Sequence, residues 1–466
     1  MAWSMWLSGC RRSFTRIKWC RWNPHSRIFA SQPCAGLPQS LAALLFYIAM
    51  KKQSVLTIRL DDQGHLVLPD DLLNQYGLLP GSDVQLEQAT NGIQISRSSD
   101  NLARVYVEPT SACNLDCRTC MRNVWDEPMG QMSEKTYSRI LQAIQAIYPL
   151  PIVFFGGFGE PLAHPNIVEM VSAAHKAGAE VELITNGTLL DKAMSLALLE
   201  SGLNRLWVSL DGAKPESYAD VRLGASLPQV VDNLARLHRL RLEHPTSHMG
   251  LGIAFVAMRR NITDLPELIR LGKRHGADQF SISNVLPHTE ELRKEILYQY
   301  SLYDTRSVSS PSSPEVDFPR MDISRELLDV IRDSISRSTQ LNYRGHSSGP
   351  DKPSCPFIEK DSISIRWDGF AAPCLPLLHT HEAYLDDRLR KSFAYSFGNI
   401  HSSSLMEIWQ SETYKEFRSR LLDFDFSPCT FCNSCEMSAS NLEDCFGNVH
   451  PTCGGCLWAQ GFIRCP

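Results

Sequence analysis

Thr110-Ser111-Ala112-Cys113-Asn114-Leu115-Asp116-Cys117-Arg118-Thr119-Cys120 places three cysteines at CxxxCxxC spacing directly after a short apolar run, 104–108. Three thiolates so spaced can wrap one face of an iron-sulfur cube and leave one iron without a protein ligand. That vacancy is where chemistry can occur. A zinc site would ordinarily require a fourth Cys or His close by. The loop holds none, so zinc is the alternative reading and the open cluster the favoured one.

Outward from this loop, apolar runs at 152–157, 181–186, 206–211, 252–256 and 280–285 alternate with helical stretches, with 19 or more residues between successive runs. Parallel neighbours need crossover helices. With 104–108 this rhythm predicts six β/α units, an α/β fold whose sheet curls into a partial (β/α)6 TIM-type barrel. In such barrels the chemistry lies at the C-terminal ends of the strands. The second run ends in Phe154-Phe155-Gly156-Gly157-Phe158-Gly159-Glu160-Pro161, the third in Thr185-Asn186-Gly187, the fourth in Ser209-Leu210-Asp211-Gly212 and the sixth carries Asn284. Read as residues alone, Gly156 and Gly157 make a tight turn or let backbone approach a ligand. Asn186 and Ser209 are turn and capping residues or ligand contacts.

The cysteine loop together with these strand ends resembles the radical S-adenosylmethionine superfamily, over roughly 104–290. The resemblance implies a [4Fe-4S] cluster on Cys113, Cys117 and Cys120 whose open iron chelates the methionine moiety of S-adenosylmethionine. A reduced cluster then yields a 5′-deoxyadenosyl radical that takes a hydrogen atom from substrate. It also implies that Gly156 and Gly157 lie against the cosubstrate and that Glu160 bonds its ammonium. Ser209 and Asn186 would meet the carboxylate or ribose, with Asn284 nearby. Thr119 departs from the aromatic or apolar residue usual there, which weakens a contact on the adenine side. A reductant such as ferredoxin or flavodoxin is implied as partner.

Of fifteen cysteines, none lies between 121 and 354, and nine follow: Cys355, Cys374, Cys429, Cys432, Cys435, Cys445, Cys453, Cys456 and Cys465. Such clustering points to metal rather than to a disulfide framework, and to a reducing cytoplasm. Eight thiolates suffice for two four-ligand clusters, and paired CxxC motifs serve zinc equally well. The run from Cys355 to Cys374, with Ile363–Arg366 and Asp368-Gly369 between, reads as a β-hairpin presenting two ligands. It resembles the opening of the SPASM domain, as do Phe397-Gly398-Asn399-Ile400 and the helix at 405–421. That resemblance implies two auxiliary [4Fe-4S] clusters. The later spacing departs from the family, and the sharing of cysteines stays open.

The chain divides, on this reading, into a leader or over-extended start at 1–49, a small module at 50–100, the barrel at 101–300, a linker and helix at 301–350, and a cysteine-rich domain at 351–466. The leader has six Arg or Lys, no acid and four of nine tryptophans; an organelle transit peptide fits its Arg and Ser content but not its aromatics. The apolar stretch 41–49 is far shorter than the roughly 20 residues that span a bilayer. Within 50–100 the spacing predicts strands at 55–60 and 66–68, a helix near 70–76, then two strands after Pro80-Gly81. This all-β pattern resembles the AbrB-type swapped-hairpin module, which implies a homodimer. Its four basic and seven acidic residues disfavour a phosphate-binding face, as does a net charge of −5. Ser and Pro at 305–316 predict a mobile linker.

Two runs, Arg118-Thr119-Cys120-Met121-Arg122-Asn123-Val124-Trp125-Asp126-Glu127 and Pro451-Thr452-Cys453-Gly454-Gly455-Cys456-Leu457-Trp458-Ala459-Gln460-Gly461, resemble the radical enzymes associated with tungsten-dependent aldehyde ferredoxin oxidoreductases. This implies maturation of a tungsten (pterin) cofactor, with that oxidoreductase or its cofactor as partner. Peptide modification of the SPASM type is the alternative. A redox-sensing DNA-binding regulator is a third reading, disfavoured because a sensor has no use for Glu160 and the ribose turns.

Overall fold

The computed structural model describes residues 62–68, 84–89, 92–97, 101–244, 247–303, 310–312, 315–322, 324–335, 342–344, 353, 355–432 and 435–466. The expectations for 1–49, for the strand at 55–60 and for the helix near 70–76 lie outside them. Met1–Leu68 is a unit by itself, of which 62–68 show a turn followed by exposed Leu66 and Val67. In the other unit, the two strands expected after Pro80-Gly81 form an antiparallel hairpin. Its strands are β1 (Val84–Ala89) and β2 (Gly92–Arg97), with Ala89 opposite Gly92.

The six predicted β/α strands are present: β3 (Arg104–Val107), β4 (Ile152–Phe155), β5 (Val181–Thr185), β6 (Arg205–Ser209), β7 (Gly250–Ala257) and β8 (Gln279–Asn284). They pair in parallel and in chain order. Their sequences, such as RVYV and IVFF, are β-branched and aromatic with little alternation, as expected of strands covered on both faces. The outer face packs under α1 (Glu134–Gln145), α2 (Ile167–Lys176), α3 (Lys192–Glu200), α4 (Pro215–Val221), α5 (Leu227–Glu243) and α6 (Leu265–Arg274). Helix α6 buries Leu265, Leu268, Ile269 and Gly272, the spacing of one helical face. Ser133 and Asp191 cap α1 and α3 by accepting from Thr136 N and Met194 N.

A second core fills the inner face, where Tyr106, Phe154 and Trp207 pack with Phe357, Leu375, Trp458 and Phe462 from the C-terminal part. Beneath them Arg104 and Glu182 form a buried ion pair at 2.7 Å, and Trp207 Nε1 donates to the same carboxylate. The floor of the barrel is therefore closed by paired charge.

The stretch expected to be a mobile linker is described only in part. Its described part carries β9 (Ser310–Ser312) and the start of β10 (Val316–Asp317), and β10 pairs in parallel with β8. Strand β11 (Asn342–Arg344) pairs in turn with β9. The physical reason is the edge of β8, whose unpaired backbone groups must find partners. On the opposite edge the predicted Cys355–Cys374 hairpin forms as β12 (Ser362–Ile365) and β13 (Phe370–Ala372). Strand β12 also pairs in parallel with β3, Ser362 opposite Arg104 and Ile365 opposite Val107. The barrel and the cysteine-rich part thus share one sheet rather than meeting as separate blocks at residue 351. A hairpin, β14 (His381–Leu385) and β15 (Arg388–Ser392), the short β16 (Gly398–Asn399) and the expected helical region, now two helices at Leu405–Trp409 and Glu412–Asp423, complete the chain. Among the described residues no helix is long and apolar enough to cross a membrane.

Leu206 in β6 is 0% exposed in the main core. Leu206→Ala should destabilise the fold by about 2–5 kcal/mol, seen as a lower urea midpoint; an unchanged midpoint would contradict its place at the centre of the sheet.

Candidate functional site

The cysteine loop is pinned from both sides before any ligand enters. Thr110 Oγ1 and Ser111 N donate to Gly130 O, and Gly130 N donates back to Ser111 Oγ. Asp116 N and Arg118 N donate to Leu223 O and Val221 O, the segment that ends α4. Cys117 is buried, and Cys113 and Cys120 are half-buried. All three border one cavity at the C-terminal mouth of the barrel, together with Gly159, Glu160 and Ser209.

Two guanidinium groups face the thiols. Arg122 Nε lies 3.3 Å from Cys120 Sγ, and Arg222 Nη1 lies 3.9 Å from Cys117 Sγ. Arg222 is held by Asp211, which is 0% exposed, at 2.6 Å. Burial disfavours the Arg222 charge, but Asp211 and Cys117 outweigh it and keep its pKa above the ordinary value. Burial pushes the Cys113 and Cys117 thiols up, so metal must displace protons to bind there.

The glycine turn presses its backbone onto the cysteine loop. A Cβ on Gly159 would sit 2.1 Å from Thr110 O and 2.6 Å from Ala112 O, so only glycine fits. Gly157 and Gly159 border the cavity; Gly156 instead packs against Phe154 and Ile184. Glu160 is buried, and its carboxylate accepts from Leu162 N, Thr185 Oγ1 and Asn186 N at 3.0, 2.6 and 2.7 Å. Burial raises its pKa against those hydrogen bonds.

Asn186 is largely spent on turn chemistry. Its Oδ1 accepts from Thr188, and its Nδ2 donates to Asn114 Oδ1 at 2.9 Å, bracing the cysteine loop. Ser209 borders the cavity. Asn284 gives its Nδ2 to the carbonyls of Arg320 and Phe462, while its Oδ1 is buried without a hydrogen-bond partner at the cavity wall.

The later cysteines sort into groups that their spacing left open. Cys355, Cys374, Cys453 and Cys456 surround a second cavity. Burial drives all four thiols up, Cys355 to about 12, and for Cys355, Cys374 and Cys453 the neighbouring thiols add to it. Arg388 donates to the carbonyls of Cys429 and Cys432, and the charge of buried Arg390 acts on Cys429, Cys453 and Cys456. Cys445 is exposed. Cys465 borders the first cavity, beside the CxxxCxxC loop, rather than the second.

Residues 107–283 match the model of the radical SAM superfamily, and 355–436 match that of an iron-sulfur cluster-binding domain, SPASM. The tungsten-containing aldehyde ferredoxin oxidoreductase cofactor-modifying protein of Pyrococcus furiosus is 32% identical over 366 residues, 78% of this chain and 96% of that protein. The chain belongs to the radical SAM superfamily. The PqqA peptide cyclase of Gluconobacter oxydans is 25% identical over 358 residues, covering 75% of this chain and 89% of that one. Among solved structures, Streptococcus suis SuiB bound to S-adenosylmethionine is 17% identical with a TM-score of 0.47, over 73% of this chain and 72% of that one.

Membership of this radical SAM family brings a [4Fe-4S] cluster and S-adenosylmethionine as cofactors, and the SPASM part brings auxiliary iron-sulfur clusters. The donor sets fit them. Three thiols, Cys113, Cys117 and Cys120, line the first cavity and four, Cys355, Cys374, Cys453 and Cys456, line the second, and thiolates are the usual ligands of such clusters. Cys453 and Cys456 lie beyond the matched SPASM segment, so the second cavity draws thiols from farther along the chain.

Sequence reasoning missed Gly159, Arg122, Arg222 and Thr185. Asp211 was the available signal for Arg222, since a buried carboxylate needs a partner. Gly159→Ala should displace the cysteine loop and abolish S-adenosylmethionine binding in iron-loaded protein, measured by equilibrium dialysis; full binding would show that the backbone approach is not required. Arg222→Met should cost about 3–5 kcal/mol by leaving Asp211 buried alone and lower iron uptake, read by urea unfolding and metal analysis.

Proposed function

We propose that Cys113, Cys117 and Cys120 hold the catalytic [4Fe-4S] cluster, and that the cavity formed by Gly157, Gly159, Glu160, Ser209 and Asn284 receives S-adenosylmethionine. The observation that carries this is three thiols on one loop, flanked by two guanidiniums, at the mouth of a barrel whose lumen is otherwise packed. When bound, the cluster supplies the electron that cleaves the sulfonium and releases a radical able to take a substrate hydrogen. The chain's own residues fix the geometry. Glu160 offers its remaining lone pairs to an ammonium, Asn284 Oδ1 offers an unspent acceptor, and the segment around Trp458 and Ile463 closes the cavity against water. Arg122 and Arg222 hold positive charge beside the thiolates, which favours the reduced, more negative cluster.

Cys355, Cys374, Cys453 and Cys456 hold one auxiliary cluster on this reading, and Cys429, Cys432 and Cys435 a second, with Cys445 as its exposed fourth ligand. The substrate is the tungsten-pterin cofactor of an aldehyde oxidoreductase, or a precursor of it, a reading supported by near full-length similarity to the Pyrococcus furiosus protein. A ferredoxin or flavodoxin supplies electrons, in the cytoplasm, and the N-terminal module pairs two chains. Peptide modification is the second reading, favoured by the Gluconobacter oxydans cyclase.

Anaerobic reconstitution with iron and sulfide, then reduction with S-adenosylmethionine, should yield 5′-deoxyadenosine in the wild type and none in Cys117→Ala. Cys374→Ala should lose about four irons per chain yet still cleave the cosubstrate, as expected if the two cavities hold separate clusters. Zinc taken up at the first triplet with iron refused would reject the assignment. A host lacking this protein should make a tungsten oxidoreductase without activity; a normal oxidoreductase beside an unmodified peptide would favour the second reading.

A further inference from the structure

One cluster of buried ionisable groups lies outside both cavities. His379, 1% exposed, places Nε2 2.9 Å from Glu108 Oε2 and Nδ1 2.7 Å from Glu127 Oε2. Both carboxylates already accept from the backbone, Glu108 from Phe158 N at 3.2 Å and Glu127 from Thr380 N at 2.8 Å. An ionised carboxylate only accepts, so a ring with one at each nitrogen must donate from both. His379 is therefore held as imidazolium.

The surroundings agree with this count. Arg366, paired with Asp368, is 3.4 Å from Glu127, and its charge also acts on Glu108. His381, two residues on, is driven down to about 4 by burial and stays neutral. Glu108, Glu127 and Asp368 thus face two cations, His379 and Arg366. A neutral His379 can donate to one carboxylate only, and Glu108, 0% exposed, would lose its counter-charge.

Four separate segments meet here. Glu108 follows β3, Trp125 and Glu127 follow the cysteine loop, Phe158 belongs to the glycine turn, and His379 follows Cys374. The His379 ring packs on Trp125 at 4.0 Å and on Phe158 at 5.8 Å between centroids, and Trp125 meets Phe158 edge-on at 5.4 Å. Phe158 borders the first cavity, and a Cβ on Gly157 would lie 2.6 Å from Glu108 Cγ. The glycine turn rests on Glu108, and Glu108 rests on His379.

We propose that His379 is a positioning residue whose doubly bonded imidazolium holds Glu108, and through it the Gly157–Glu160 turn, in the shape that receives S-adenosylmethionine, so that loss of this one proton weakens cosubstrate binding. The inference rests on the reading of the first cavity given above. Burial opposes the charge, but Glu108 and Glu127 outweigh it and raise the pKa above the ordinary histidine value. The clamp is complete at low pH and is lost as pH rises through that raised value.

The test uses iron-loaded full-length protein. Equilibrium dialysis of S-adenosylmethionine between about pH 6 and pH 9 is combined with hydrogen exchange of the peptide covering 154–160. Wild-type affinity should fall about tenfold as pH rises, the worth of one charge-assisted bond, and exchange at the turn should quicken in step. His379→Gln should bind about tenfold more weakly at low pH, show no pH step, and lose more in KM than in kcat. His379→Lys, charged throughout, should restore binding and remove the step, and Glu108→Gln should add nothing to His379→Gln. A His379→Gln protein with wild-type affinity, pH step and exchange would overturn the proposal. If the wild type binds no S-adenosylmethionine, the assignment of the cavity fails, and an exchange rate at 154–160 that ignores pH and His379 would then sink the clamp as well.

Discussion

Parallel pairing of β12 with β3 is the join on which the rest of the arrangement depends. It lays the cysteine-rich part along the first strand of the barrel, so Cys355 before β12 and Cys374 after β13 stand at the barrel's edge instead of at the end of a tether. The same register carries the chain on from Cys374 to His379, opposite Glu108 at the end of β3. Parallel strands cannot be joined by a tight turn, and here about 250 residues of intervening chain close the loop. That entropic cost is offset by two apolar cores, one on each face of the sheet.

Charge burial is concentrated where loops must keep one shape. Arg104 with Glu182, Arg222 with Asp211, and His379 with Glu108 are each nearly inaccessible. Replacing such pairs with apolar side chains is often neutral or stabilising, whereas removing one partner is costly. Their value lies in discrimination, since a displaced loop would strand a charge in the interior. All three contact the lumen or the loops at its mouth, and the strongly exposed ion pairs, such as Arg332 with Asp329, lie on helix surfaces where they contribute little.

The barrel was legible because its signals are local. Each strand is a short run of β-branched and aromatic residues, and each turn carries glycine or a capping residue next to it. The three cysteines of one loop announce themselves by spacing. The grouping of Cys355 and Cys374 with Cys453 and Cys456 was not legible, because it depends on how a chain segment some 80 residues later returns to the sheet. Composition at 305–316 speaks only of solvation, so it carries no sign of the pairing by which Val316 extends the β8 edge. Gly157 and Gly159 rather than Gly156 border the ligand space, and the turn presses Gly159 onto the carbonyls of Thr110 and Ala112. Trp125 and Glu127 were noticed only as an unusual run; their role needs His379 from 252 positions away in the case of Glu127.

The segment after Cys453 belongs to both cavities at once. Cys453 and Cys456 face the second, Trp458 borders both, and Ile463, Arg464 and Cys465 border the first. Its path is fixed by backbone bonds, Arg320 N to Gly461 O and Asn284 N to Phe462 O, and by Phe462 stacked on Tyr298 at 4.7 Å. Only six residues separate Leu457 from Arg464, too few to absorb a shift at one end without moving the other. If Cys456 ligates metal as proposed, that ligation also sets the wall of the first cavity, and its loss would slacken the enclosure of the reacting groups even with the CxxxCxxC loop intact. On that assignment, auxiliary metal would have a mechanical role that follows from chain connectivity, whatever electrons it carries.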